Sequence, residues 1–255
     1  MRIEDFELMS TRYLNGDYFI LDLLGKQELP EILPGQFVQM RVDNEKKVFL
    51  RRPISVFDVD YNKNILSLLI KKVGAGTEAM ARLKKNETVN LIFPLGNSFS
   101  IGPETEKSLL VGGGVGVAPL LLLARLLKEG PHNFKFLFGY QTVSDIIEKE
   151  RFAALGEVLI TTDDGSYGYK GLVTEHPELS EGNYDRIYTC GPEPMMKAVA
   201  AIARSRDKFC EVSLENTMAC GYGVCLCCVV NTSRGNVCTC TEGPVFNINE
   251  LKWQI

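Results

Sequence analysis

Apolar and polar positions follow two different rhythms along the chain. Over roughly the first hundred residues, short apolar runs are broken by Gly, Pro and Asn. Strand-like runs flank Asn15-Gly16-Asp17, another follows Pro34-Gly35 from Gln36 to Val42, and two more span Asn64 to Val73 and Val89 to Phe93. Regular short strands with such punctuation predict an antiparallel barrel or sandwich. One helix is expected inside it, from Thr77 to Lys84, where Ala79, Met80 and Leu83 share a face. Near residue 101 the rhythm changes to strand alternating with helix. Ser108 to Val111, Phe134 to Tyr140, Glu157 to Thr162 and Asp185 to Thr189 read as strands, with helices at Ala118 to Lys128, from near Ser144, and at Glu193 to Arg204. That alternation predicts a doubly wound parallel sheet covered on both faces. From Arg206 onward the chain is cysteine-rich and nearly helix-free, too small a piece to rest on a hydrophobic core alone. The expected division is 1–100, 101–206 and 207–255.

Composition narrows the chemistry. The 255 residues are 45% hydrophobic and 24% charged, as in ordinary globular proteins, and the net charge of −4 disfavours nucleic acid as a partner. The longest apolar stretch, Pro119 to Ala124, ends at Arg125 and is too short to span a bilayer. The first residues carry no apolar signal core, so the cytoplasm is the expected address, with no membrane partner. Of eight cysteines, six lie between Cys220 and Cys240, the others being Cys190 and Cys210. Such crowding in a cytoplasmic chain points to a metal centre rather than to disulfides.

Cys220, Cys225 and Cys228 form C-x4-C-x2-C, the plant-type spacing for a 2Fe–2S cluster, with the fourth thiolate from Cys238 or Cys240. Gly221 and Gly223 suit a loop that curls around sulfide and turns amide N–H groups toward sulfur. Structural zinc is the plain alternative, but it favours paired C-x2-C knuckles. Cys227, beside a ligand, reads as a small buried residue.

Val111 to Pro119 joins a buried strand to a helix through Gly112, Gly113, Gly114 and Gly116. Glycines there let backbone approach a pyrophosphate at a helix N-terminus. Pro119 departs from the strict G-x-G-x-x-G pattern, and a ligand-free tight turn is the plain alternative. Cys190-Gly191-Pro192 forms a second such turn, which helix-capping preferences alone also explain. Both turns fall at strand ends facing one crevice, the site of dinucleotides in this architecture. The acidic Gln141 to Asp145 segment leans toward NAD rather than its phosphorylated form. Arg52 and the Gly76-Thr77 helix start suit a second pyrophosphate, as an ordinary basic strand edge also would. His132 and His176 read as surface or turn residues, and no acid–base set stands out.

Arg52-Pro53-Ile54-Ser55, Gly74 to Thr77, the turn at Gly112 to Pro119 and Cys190-Gly191-Pro192 occur in the order of the ferredoxin–NADP reductase superfamily. With Pro34 to Phe37, Pro94 to Phe99, Leu214 to Gly221 and Cys240 to Phe246, nearly the whole chain resembles the electron-transfer subunits of class 1B dihydroorotate dehydrogenases. The resemblance implies a β-barrel binding FAD through Arg52, Pro53, Ile54, Ser55, Leu69, Ile70, Lys71, Gly76 and Thr77. It implies Ser55 near the reactive flavin edge, Cys190 either near the nicotinamide or as a buried structural thiol, and Cys240 as the fourth cluster ligand. It further implies an FMN-containing catalytic partner in a two-plus-two heterotetramer, with electrons passing through the cluster and FAD to NAD. Related flavin subunits of glutamate-synthase-like, hydrogenase or transhydrogenase assemblies share the same modules. A zinc-stabilised adaptor on an inactive reductase fold is the reading from another class. Cys227, Cys238 and Phe93 depart from the family's usual pattern.

Overall fold

The two rhythms become two seven-stranded sheets in the computed structural model, which describes residues 1–253. The first half contains β1 (Arg2–Tyr13), β2 (Tyr18–Gly25), β3 (Phe37–Met40), β4 (Arg52–Ser55), β5 (Asp58–Asp60), β6 (Ile65–Lys71), α1 (Ala75–Ala81) and β7 (Thr88–Leu95). Its sheet runs β4-β3-β7-β1-β2-β6-β5, and every neighbouring pair is antiparallel. The β1–β2 turn forms because the Asn15 side chain accepts from the N–H groups of Asp17 and Tyr18. Helix α1 begins two residues before the expected Thr77, whose hydroxyl instead accepts from the Val73 N–H and donates to the Gly74 carbonyl.

The second half alternates β8 (Lys107–Gly113), α2 (Ala118–Glu129), β9 (Asn133–Tyr140), α3 (Lys149–Ala153), β10 (Glu157–Thr162), β11 (Tyr169–Lys170), α4 (Pro177–Glu181), β12 (Arg186–Cys190), α5 (Glu193–Ser205) and β13 (Phe209–Ser213). The chain then makes a hairpin of β14 (Val229–Thr232) and β15 (Gly235–Cys238), one turn of helix α6 (Thr239–Glu242) and strand β16 (Val245–Asn247). The second sheet runs β11-β10-β9-β8-β12-β13-β16, parallel except for β16. Strand order reverses between β8 and β12, which opens a crevice at their C-terminal ends.

Two local departures from expectation have clear causes. The helix expected near Ser144 is a single 3-10 turn, Val143–Asp145, because Asp145 accepts the Thr142 N–H and Glu148 turns left-handed (φ 51°) before α3. The residues after Arg206 divide between two layers. Cys210 and Val212 continue the apolar strand pattern, so β13 and β16 complete the nucleotide sheet, and the cysteine segment is an excursion between them.

The halves share a core. Tyr18, Ile20, Phe57 and Leu69 of the barrel pack in one buried cluster with Leu120, Leu123, Phe136 and Phe152 of the second sheet's layer. Each such aliphatic side chain contributes about 1.5–3 kcal/mol by leaving water. At the rim, the Asp58 carboxylate receives Arg125 from α2 and Arg151 from α3, and Arg151 also lies over the Phe57 ring.

Candidate functional site

Strands β4 and β6, the start of α2 and the segment after β13 enclose a cavity of about 360 Å³. Arg52, Pro53, Ile54, Ser55, Leu69, Ile70, Lys71 and Thr77 all line it. Gly76 stands behind the wall, where a Cβ would come within 2.8 Å of Arg52 Nε, so the bare glycine lets α1 close on the guanidinium. One Arg52 nitrogen donates to the Leu50 carbonyl, which orients the fork and leaves further N–H groups for a ligand. The chemistry is divided: Ile54, Leu69, Ile70 and Val115 give flat apolar contact, while Arg52, Lys71 and Thr77 give cations and a hydroxyl. That division suits an aromatic ring joined to a diphosphate, the make-up of FAD.

Several lining residues come from parts of the chain the sequence left out of the flavin set: Phe37, Val115, Ala118, Ser213 to Met218, and Pro244. Glu215 is the most informative. Glu215 is exposed where it lines the cavity, yet the protein around it desolvates its carboxyl enough to raise the pKa above the ordinary value. Cys190 Sγ lies 4.0 Å from Glu215 Oε1. Cys190 is itself buried and lines neither cavity; burial, then the nearby Glu215, pushes its thiol far up, so it stays protonated.

A second cavity of about 370 Å³ opens at the crevice between β8 and β12. Gly113, Gly114 and Pro192 line it, together with Tyr18, Lys71, Gln141, Asp145, Asp163 and Met195. A Cβ on Gly113 would meet Met195 Sδ at 2.6 Å and Pro192 Cδ at 2.9 Å, so any larger residue would displace these two residues of the cavity wall. Gly112, Gly116 and Gly191 act from behind: a Cβ on Gly116 would stand 2.4 Å from the Cys190 carbonyl oxygen, and Gly191 has φ 151°. Lys71 lines both cavities, its ammonium 5.2 Å from the Tyr18 ring centroid. The two chambers are therefore neighbours.

The cysteine loop is shaped by left-handed backbone at Gly221 (φ 80°), Gly223 (φ 84°) and Leu226 (φ 57°). Those turns aim N–H groups at sulfur: Tyr222 and Cys225 each donate to Cys220 Sγ at 3.5 Å, Cys227 to Cys225 Sγ at 3.5 Å, and Gly223 to Cys240 Sγ at 3.1 Å. Burial opposes ionisation of Cys220, but these donors outweigh it and bring its pKa down to about 6. Burial first, and then the Cys228 thiol beside it, push Cys240 up to about 12. Two adjoining thiolates of this kind ionise together only with positive charge between them. Cys220 neighbours Cys225, and Cys228 neighbours both Cys240 and Cys238, so these thiols share one small region. Among the described residues no three His, Cys, Asp or Glu side chains gather as they would around one ion. Crowded thiols with N–H donors aimed at Cys220, Cys225 and Cys240 fit a 2Fe–2S cluster.

The same geometry separates the spare cysteines. Cys238 Sγ faces the Gly223 carbonyl at 3.9 Å, a contact for a protonated thiol, whereas Cys240 receives an N–H. Cys227 is exposed rather than the small buried residue expected, because left-handed Leu226 turns it outward. His176 is a turn residue, its Nδ1 accepting the Glu178 N–H.

Phe37 and Met218 join the two centres. Both pack in one buried cluster with Cys228 and Cys240, and both line the flavin cavity. The motifs around them form the seam. Gly96 (φ 78°) would place a Cβ 2.5 Å from Pro244 Cδ, and Asn97 meets the Gly243 and Glu242 carbonyls through its backbone N–H and side-chain amide. Gly35 (φ 95°) is held against Val245 in the same way, at 2.8 Å.

Comparisons with known proteins agree with this layout. Residues 215–252 match the iron-sulfur cluster binding domain of dihydroorotate dehydrogenase B, and residues 110–201 the oxidoreductase NAD-binding domain. The electron transfer subunit of dihydroorotate dehydrogenase B (NAD(+)) from Shouchella clausii is 39% identical over 86% of this chain and 86% of its own. The corresponding subunit from Caldanaerobacter subterraneus is 38% identical over 96% of each. Among solved structures, an NADH-dependent reduced ferredoxin-NADP oxidoreductase studied for electron bifurcation superposes with TM-score 0.88 at 32% identity, covering 97% of this chain and 90% of that one. The ferredoxin reductase of carbazole 1,9a-dioxygenase, at 23% identity and TM-score 0.69 over 81% of this chain and 66% of its own, shares the fold.

Proposed function

This chain belongs to the family of dihydroorotate dehydrogenase B electron transfer subunits, and from that premise we propose that it passes electrons between NAD and an FMN-containing catalytic subunit that converts dihydroorotate to orotate in pyrimidine synthesis. The observation that carries the reading is the pair Phe37 and Met218, buried between the cluster thiols and the flavin cavity. Bound FAD would supply the change between two-electron hydride transfer and the one-electron transfers that a 2Fe–2S centre supports. The chain's residues do the rest. Arg52 and Thr77 would hold the diphosphate of FAD, and Ile54, Leu69 and Ile70 would keep water from its ring. Ser55 and Glu215, which line the same cavity, would meet the flavin there, with the protonated Cys190 behind Glu215. Gly113, Gly114 and Pro192 admit the dinucleotide close to backbone at the start of α2. Among the described residues lining that cavity, Lys71 is the one cation against Asp145 and Asp163, which favours NAD over a 2′-phosphorylated form. Cys220, Cys225, Cys228 and Cys240 hold the cluster.

In this reading residues 1–100 serve FAD, residues 101–206 serve NAD, and within 207–255 the excursion between β13 and β16 carries the cluster, in a cytoplasmic two-plus-two assembly with the partner. No helix of the described residues is long and apolar enough to cross a membrane. Reconstitution tests it. Dihydroorotate should reduce NAD only when the FMN subunit and this chain are combined; NAD reduction by the FMN subunit alone at the same rate would refute the role. A second reading, a subunit of a transhydrogenase-like bifurcating complex, draws on the structural match at 32% identity. Ferredoxin-dependent NADP reduction in the isolated native complex, without orotate formation, would favour it.

A further inference from the structure

We propose that Gln39, a residue of the flavin barrel, donates a hydrogen bond to the sulfur of the cluster and raises its reduction potential. Gln39 is fully buried, yet neither its Nε2 nor its Oε1 has a partner among the described residues. A buried amide with nothing to bind costs about 1–3 kcal/mol, so a side chain of this kind marks a partner outside the polypeptide. Its position says which one. Alternation along β3 sends Val38 and Met40 into the barrel core, and Phe37 and Gln39 to the opposite face. Phe37 there packs with Cys228 and Cys240. Gln39 meets the other end of the loop: a Cβ on Gly221 would lie 2.6 Å from Gln39 Cγ and 3.2 Å from Nε2. Gly221 follows the ligand Cys220 directly, so the orphan amide lies where the first thiolate attaches.

A one-electron reduction adds negative charge to the thiolates and sulfides, and an N–H donor favours that reduced form. The loop's own N–H groups supply this from within. Gln39 supplies it from the domain that holds the flavin, so seating the cysteine module on the barrel also sets how readily its cluster accepts an electron.

The inference rests on the cluster assignment, and iron and sulfide analysis of the wild-type complex separates the two: an iron-free wild type refutes both. With the cluster present, Gln39→Met keeps the side-chain volume and removes the donor. In the holoprotein co-expressed with its partner, an EPR-monitored redox titration should show the cluster's reduction equilibrium about tenfold less favourable, near 59 mV for one electron. The flavin midpoint should not move. An unchanged cluster midpoint, with the higher unfolding midpoint expected from deleting an unpartnered polar group, overturns the proposal. If the variant loses its cluster, the wild-type holoprotein labelled with side-chain 15N-glutamine decides. Hyperfine coupling of a glutamine nitrogen to the reduced cluster is the expected result, and its absence is the contrary one.

Discussion

The flavin cavity and the cysteine loop serve the same electron yet are built in opposite ways. The cavity gathers side chains from distant stretches, among them Phe37, Arg52 to Ser55, Leu69 to Lys71, Ser213 to Met218 and Pro244, most of them on or beside strands fixed by the two sheets. The loop holds three of the four proposed ligands within the nine residues Cys220 to Cys228 and leaves Tyr222, Val224 and Leu226 exposed by 48%, 72% and 64%. A cavity of the first kind keeps its shape through packing, and losing one wall residue weakens it by a part. A loop of the second kind is held by its metal, and losing one ligand removes the whole centre.

Substitutions that separate these two behaviours differ widely in effect. The largest belongs to the loop: Cys240→Ser should abolish cluster assembly and lower electron delivery to the partner by orders of magnitude, read by iron content and dihydroorotate-driven NAD reduction. Cys238→Ser should keep the iron, because that thiol faces a carbonyl. In the cavity, Arg52→Ala removes charge-assisted hydrogen bonds worth about 1.5–3 kcal/mol, so FAD affinity should fall about 10–100-fold with the cluster intact. Gly113→Ala inserts a methyl group against Met195 and Pro192 at a cost of about 1–3 kcal/mol, which should raise KM for NADH about tenfold and leave FAD content alone.

Smaller effects lie between and behind the centres. Asp58→Asn weakens the link to Arg125 and Arg151, whose side chains are 44% and 33% exposed, and should lower stability by only about 1 kcal/mol in urea. The smallest is a pH effect. Glu215 has a folded pKa raised above its ordinary 4.5, so its contribution to stability is complete below 4.5 and fades as pH rises through the elevated value. Glu215→Gln should remove that fading, seen as a flatter thermal midpoint against pH.

The contrast also decides what was legible in the sequence. The proposed ligands, crowded into one loop, are read from their spacing, and Gly113 and Gly114 from the strand-turn-helix pattern around them. The strands appeared as apolar runs because both sheets bury their cores. Walls assembled across the fold carry no local signature. Phe37 reads as any strand aromatic, and Glu215 and Met218 read as contacts near the cluster or a partner rather than as flavin-cavity walls, until β13 and β16 place the following segment over β4. The third segment was misjudged in layout for a related reason: cysteine density hid the strand periods of Phe209–Ser213 and Val245–Asn247. Gln39 was invisible for the same cause, since its partner face exists only once the loop docks.

Anaerobic mixing of the wild-type holoprotein with NADH, followed by flavin absorbance and by the EPR signal of the cluster, tests the central claim most directly. Flavin bleaching should come first, and a cluster signal should follow on the timescale of turnover, with two irons and one FAD per chain. A bleached flavin beside a cluster that stays oxidised throughout turnover would contradict it, as would zinc in place of iron.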